Sequence, residues 1–437
     1  MDRRAPKNIG IGFATGRKTF QQVLKTYAYS WMENGLTEEN VRLHVVVAYD
    51  LTYNNTRRVD FTNVSPRVSD LIDDIHFVGS AAMQRETDEL LRLGVADEED
   101  IRLLFGGGYA GMRNTVLYNA IKLGIDSLLF LDDDEYPLAV TKTRAHAIWS
   151  GQSVLSTHLQ YIENADITHG HHCGYISPIP HIDFGGALGE ADFRSFIEAI
   201  SNDILSWDNI KQVMDSGGVT YADTNVLISD EAIEVREQNG AKFISGGNLC
   251  INLTDPARIF AFYNPPGARG EDTFLSTLLG ERKVLRVPCY AFHDGFSTYG
   301  HIMDGVLPVH LRPITADDEA VVSRFYRACI GWVRYKPLLL YLTQPGLYDE
   351  KIRDMRDRLA ETLPKICAYF DKKAFMDVAF ELERYHQNVQ KHCEGFRRAQ
   401  RAWKNILSYL GEVRPQPFMP AEDDSLKGAR LAGLTGV

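Results

Sequence analysis

The residues best equipped for chemistry stand in one run. In LLFLDDDEYP, residues 128 to 137, four apolar side chains lead straight into Asp132, Asp133, Asp134 and Glu135, and Pro137 then ends regular structure. Like charges this close cost several kcal/mol in a low dielectric unless something positive sits among them. A divalent cation is the usual compensator, and carboxylate oxygens suit Mg²⁺ or Mn²⁺. Read as a strand end, the run sends Asp132 and Asp134 to one face and Asp133 to the other. Two carboxylates on one face can hold a cation that keeps phosphate ligands. The plainer alternative is an acidic turn with solvated charges.

Two further stretches invite a chemical reading. HGHHCGY, residues 169 to 175, packs four potential metal ligands into five positions. A structural zinc site needs a second cluster, and none is evident, so a polar loop is expected. GGGYAGMRN lacks the Lys-Ser/Thr of a P-loop and is not one.

The elements that must position these residues alternate along the chain. NIGIGFAT (8 to 15), VRLHVVVAYD (41 to 50), a short strand within SDLIDDIHFVGS, and DSLLFLDDDEYP read as strands, with helix-periodic segments between them. That order predicts an open, mostly parallel, Rossmann-like α/β sheet with ligands at the carboxyl ends of its strands. Thr15, Asp50 and Asp132 to Asp134 all fall at such ends. AKFISGGNLCINL (241 to 253) and KVLRVPCYAF (283 to 292) read as later strands flanking the helix EDTFLSTLLG, with helical pieces at 190 to 204 and 207 to 215. From about residue 310 the texture turns helical, and its aromatic positions Phe325, Tyr326, Trp332 and Tyr335 look like buried stripes. The expected division is 1 to 310 for the α/β part, 311 to 411 for the helical region and 412 to 437 for a loose tail.

Composition narrows the partners. Of the 437 residues, 44% are hydrophobic and 24% charged, as in an ordinary globular protein. With 47 basic and 58 acidic residues the net charge is -11, which argues against a broad nucleic-acid surface. The six cysteines form no CxxC pair and suggest neither a disulfide framework nor a zinc finger. No window reaches 18 uninterrupted apolar residues, and a cytoplasmic location is expected.

Four pieces, in order, resemble the GT-A nucleotide-sugar glycosyltransferases, especially the family 2-like group, across about residues 8 to 296. They are GFATGRK with VVVAYD, GGGYAGMRNTVLYNAIKLG, LLFLDDDEYP as the DxD strand, and SGGNLCIN followed by RGEDTFLSTLL. The resemblance implies a GT-A core with an added helical region, and transfer of one sugar from a nucleoside-diphosphate sugar to an acceptor hydroxyl, by inversion. The donor would be a UDP-sugar first and a GDP-sugar second, and the cofactor Mn²⁺ or Mg²⁺. Asp50 would accept from the base, with Thr15 and Arg17 lining the same pocket and Arg113 near the base or diphosphate. Asp132 would face the ribose and metal, Asp134 would ligate the metal, and His293 in YAFHDGF would complete the metal site. Gly246 and Gly247 would approach the donor sugar. Asp272, with Glu271 beside it, would supply the general base that takes the acceptor's proton.

The acidic pair usual after the second strand is reduced here to Asp50 followed by LTYNN, and the QxxRW processivity motif is absent. Two rival readings are a sugar nucleotidyltransferase and a non-catalytic nucleotide-sugar-binding or scaffold protein. The C-terminal helices would then offer an interaction or homo-oligomer surface, and the acceptor is not legible in the sequence.

Overall fold

The computed structural model describes residues 6–36, 40–144, 146–201, 206–299 and 305–412. Its strands are β1 (Lys7–Thr15), β2 (Val41–Tyr49), β3 (Asp74–Val78), β4 (Ser127–Leu131), β5 (Glu135–Tyr136), β6 (Leu138–Lys142), β7 (Ala147–Gly151), β8 (Ile167–Gly174), β9 (Ile233–Glu234), β10 (Leu249–Asn252) and β11 (Val284–His293). The main sheet runs β3-β2-β1-β4-β10-β8-β11-β5, with β9 alongside β11. β1 pairs in parallel with β2 and β4, β2 with β3, and β8 with β11. β10 runs against both of its neighbours, β4 and β8. The fold is therefore an α/β open sheet, mostly parallel in its register, with helices added after it.

The β-branched run of β2 explains its place inside the sheet, between β3 and β1. Leu43, Val45 and Val47 face one apolar cluster, while Val46 and Ala48 face another. A strand buried on both faces is what a helix-covered parallel sheet requires. The helix Phe20–Glu33 covers one side with Phe20, Val23, Leu24 and Tyr27, and Tyr109–Lys122 covers the other with Val116 and Leu117.

The C-terminal helices Glu319–Thr343, Tyr348–Tyr369, Asp377–Gln387 and Val389–Glu412 follow the sheet. Phe325, Tyr335 and Trp403 from this region share one buried cluster with Phe130 of β4 and Leu249 of β10. Tyr326 and Trp332 are half-buried against the same cluster, so the aromatic stripes are core as expected. Among the described residues, no helix is long and apolar enough to cross a membrane. The stretch assigned to a loose tail lies outside the described residues beyond Glu412.

Two local expectations are corrected. HGHHCGY is no loop: its residues through Gly174 belong to β8, between β10 and β11. The strand expected over 241 to 253 survives only as Leu249–Asn252, because the preceding Gly246, Gly247 and Asn248 (φ 48°) turn the chain. The β6–β7 hairpin, Leu138–Lys142 against Ala147–Gly151, lies where the sequence was assigned no strand.

Candidate functional site

Strand β4 ends at Leu131, so Asp132, Asp133 and Asp134 lie in the turn that leads into β5. The two-residue alternation expected of them therefore does not apply. They diverge toward different partners instead. Thr15, at the end of β1, donates its hydroxyl to Asp133 at 2.5 Å. Arg17 donates to Asp133 at 2.9 Å and also pairs with Asp134. Asp132 turns the other way and accepts from Arg113 at 2.8 Å. Its side chain remains 36% accessible.

The β5–β11 pairing brings the last core strand to this turn. His293 lies opposite Glu135 in the antiparallel register, and Asp294 N–H donates to the Asp134 carbonyl at 2.9 Å. His293 Nε2 stands 3.6 Å from Asp134 Oδ1. Its Nδ1 donates to the Tyr175 carbonyl at 2.8 Å, which turns Nε2 toward Asp134. Bonds of about 2.1 Å would let one cation touch both Asp134 and His293. Asp132 does not join them in a closed three-ligand shell. Among the described residues, the one group of three such ligands within 4.8 Å lies elsewhere, at His44, Asp74 and His76.

Gly246 and Gly247 bring the opposite wall into contact. Arg113 donates to the Gly246 carbonyl at 2.6 Å and pairs with Glu271 at 3.3 Å. A Cβ on Gly247 would stand 2.6 Å from both Glu135 carboxylate oxygens and 2.9 Å from Asp132, so no other residue fits there without displacing buried acids. At Gly246 the corresponding atom would meet Arg113 at 3.1 Å and Asp272 at 3.4 Å. Gly270 takes φ 97°, a left-handed conformation open to glycine, and so starts the short helix Glu271–Ser276 with both acids in its first turn. Glu271 is buried against Arg113, whereas Asp272 keeps partial exposure and uses one carboxylate oxygen on its neighbouring Thr273 N–H at 2.8 Å.

The electrostatics follow from this crowding. Burial raises the pKa of Asp132, with Glu135 and Asp134 adding to it and Arg113 opposing. Burial also pushes Asp133 up to about 6 despite Arg17. Burial acts on Asp134 in the same sense, but His293 and Arg17 outweigh it and hold its pKa below the ordinary carboxylate value. Glu271 is raised by burial and by Asp272, against Arg113. Glu135 is 3% exposed and touches His172 at 2.9 Å through one oxygen, and among the described residues the other oxygen has no hydrogen-bond partner. Against these four consecutive acids stand two contacting arginines and His172, whose pKa burial lowers but Glu135 holds above the ordinary value, and a divalent cation fits the negative charge that remains.

Of the remaining expected residues, Asp50 is engaged in its own turn. Its carboxylate accepts from Thr52 N–H at 2.8 Å and Thr52 Oγ1 at 2.7 Å, while its N–H donates to the Thr15 carbonyl. Arg17, expected beside Asp50 in a base pocket, points into the acids instead.

Sequence reasoning missed Arg324, which the first C-terminal helix carries to the acids. Its guanidinium stacks on Phe296 at 4.2 Å, and its buried Nη1 has no hydrogen-bond partner among the described residues. Burial brings its pKa down to about 10, with Arg17, Arg269 and Arg327 acting in the same sense and Asp134 against them. Nothing local in RFYRACIGWVRYK distinguishes this arginine from its neighbours. Arg269 lies over the Tyr109 ring at 5.3 Å, and the Tyr109 and Tyr53 hydroxyls approach to 3.3 Å. Also missed was the support beneath Gly247. His158 accepts from Thr168 Oγ1 at 2.7 Å and donates from Nε2 to Asn248 Oδ1 at 2.9 Å. Burial takes the His158 pKa down to about 4, so the ring is neutral and the network stays fixed at neutral pH.

The site is thus an acid turn at the carboxyl ends of β1 and β4, with arginines and tyrosines around it, in an α/β protein with C-terminal helices. Comparison with protein-family models gives no match, and comparison with curated proteins gives none either.

Proposed function

We propose that the chain is a metal-dependent glycosyltransferase of the GT-A type, moving one sugar from a nucleoside-diphosphate sugar to an acceptor hydroxyl with inversion. The observation that carries this reading is the approach of His293 Nε2 to Asp134 Oδ1 at 3.6 Å, with Arg324 close enough for Asp134 to act on its charge and, among the described residues, with no hydrogen-bond partner for its buried Nη1. An acid–imidazole pair suits a divalent cation, and a guanidinium with a donor to spare suits phosphate oxygens. Mn²⁺ or Mg²⁺ held by Asp134 and His293 would supply Lewis-acid neutralisation of the departing diphosphate.

The chain's own residues supply the rest. Arg324, and Arg17 once released from its carboxylates, bind phosphate oxygens. Arg113 fixes Asp132 and the Gly246 carbonyl so that the donor sugar meets a rigid wall. Asp272 stands across Gly246 from the acids and accepts the acceptor hydroxyl's proton as the acceptor oxygen bonds to the anomeric carbon. The bond from that carbon to the diphosphate breaks in the same displacement. Glu271, locked to Arg113, holds the helix start in place.

Incubation with UDP- and GDP-sugars and Mn²⁺ tests this reading. Release of nucleoside diphosphate above the Asp134→Ala background is expected. Formation of pyrophosphate from a sugar phosphate and nucleoside triphosphate, with no diphosphate release, would overturn it in favour of nucleotidyl transfer.

A further inference from the structure

A second cluster lies away from the acid turn. His44 stands five residues before Tyr49, the end of β2, so it sits about 16 Å back from the strand's carboxyl end. It is registered opposite Asp74 on the edge strand β3, and His76 follows two residues later on the same face. One ligand atom from each of His44, Asp74 and His76 falls within a mutual distance of 4.8 Å. His76 Nε2 lies 3.1 Å from Asp74 Oδ2, and the His44 and His76 rings stack at 6.4 Å between centroids.

Hydrogen bonding within the protein does not account for His44. Both its ring nitrogens are buried, and among the described residues neither has a hydrogen-bond partner. A polar β-strand residue in that condition is expensive, because a buried donor or acceptor left unmade costs about 1–3 kcal/mol. Asp74 and His76 keep 33% and 14% of their side chains accessible, so a small ion can reach the group from outside. Arg42 and Asp73 stand nearby with opposite charges.

We propose that His44, Asp74 and His76 form a cation site for a Zn²⁺-class transition metal, which joins the edge strand β3 to β2. Two imidazoles and one carboxylate are a donor set that favours such metals over Mg²⁺ or Ca²⁺, and a water completes the fourth position. The site is independent of the first: it uses no residue of the acid turn.

The test uses the full chain carrying Asp134→Ala, so that the acid turn does not compete for metal. After chelation and dialysis, this protein should bind one Zn²⁺ and should give visible ligand-field bands with Co²⁺. His44→Phe in the same background keeps a ring of similar shape and should weaken Zn²⁺ binding by at least about 10- to 100-fold, the range already seen for loss of outer-shell partners. His76→Gln provides the same readout if His44→Phe fails to fold by circular dichroism. Zn²⁺ affinity and Co²⁺ bands unchanged in both variants, or absent from the Asp134→Ala chain itself, would overturn the proposal.

Discussion

Replacing Arg324 by Met should move two quantities in opposite directions. Holding this guanidinium in its charged form is unfavourable, since its pKa falls to about 10, about 2.5 below the ordinary value. At about 1.4 kcal/mol per pH unit, that is about 3 kcal/mol of destabilisation at neutral pH. Methionine removes the buried charge but also the stacking on Phe296, worth about 1 kcal/mol. The net gain is about 2 kcal/mol. An unfolding entropy of about 2.1 cal/mol/K per residue, over 437 residues, converts this to a Tm rise of about 2 °C. Ligand binding should suffer meanwhile. A charge-assisted hydrogen bond to phosphate contributes about 1.5–3 kcal/mol, so UDP affinity in Mn²⁺ should drop about 10- to 150-fold. Differential scanning calorimetry of the free protein and calorimetric titration with UDP read the two effects separately. A variant that melts lower and binds UDP as tightly as the parent would refute the reasoning, because Arg324 would then be a structural residue.

Other substitutions probe the remaining parts. Asp272→Asn should cut turnover by about 10²- to 10⁴-fold while UDP binding stays within a few-fold of the parent, and NMR of the first-formed sugar product should show the inverted anomer. A product with the donor's own configuration would refute the single displacement. His293→Ala should weaken Mn²⁺ binding less than Asp134→Ala, since it removes a neutral ligand and not a charge; metal titration of the two variants ranks them. Stability should also depend on pH through Asp133, whose folded pKa is raised to about 6 by burial. Between the ordinary carboxylate value and about 6 the folded state holds the extra proton, so stability falls as pH rises through that window. Asp133→Asn should flatten that part of a Tm-against-pH curve, and an unchanged slope would show that the raised carboxyls lie elsewhere.

Much of the sheet was legible because its strands are apolar on both faces and end on polar residues. VRLHVVVAY and DSLLFL could be little else, and β1, β2 and β4 lie where that pattern put them. β8 was not legible, since ITHGHHCG carries no β-branched alternation. It becomes a strand because β10 and β11 pair with it on either side, a tertiary choice that overrides local propensity. The acid turn was found from its charge density, but the assignment of faces failed because β4 stops at Leu131, one residue before the first aspartate. Arg113, Gly246, Gly247, Glu271 and Asp272 are brought together by the turn after residue 245 and the left-handed Gly270. Asp50 is held in its own turn by Thr52, and no spacing rule could reveal that Arg17 reaches Asp133 and Asp134. Arg324 lies 190 residues after Asp134 in the chain, and only the packing of the C-terminal helix against the sheet joins them.

Direct titration of the chain with UDP, with and without Mn²⁺, bears most closely on the claim that the acid turn is a metal–diphosphate site. Binding should appear with Mn²⁺, fall at least about tenfold when the metal is chelated, and disappear in Asp134→Ala, because losing a buried charged partner costs several kcal/mol. Heat of binding that is the same with and without metal, or that persists unchanged in Asp134→Ala, would contradict the account.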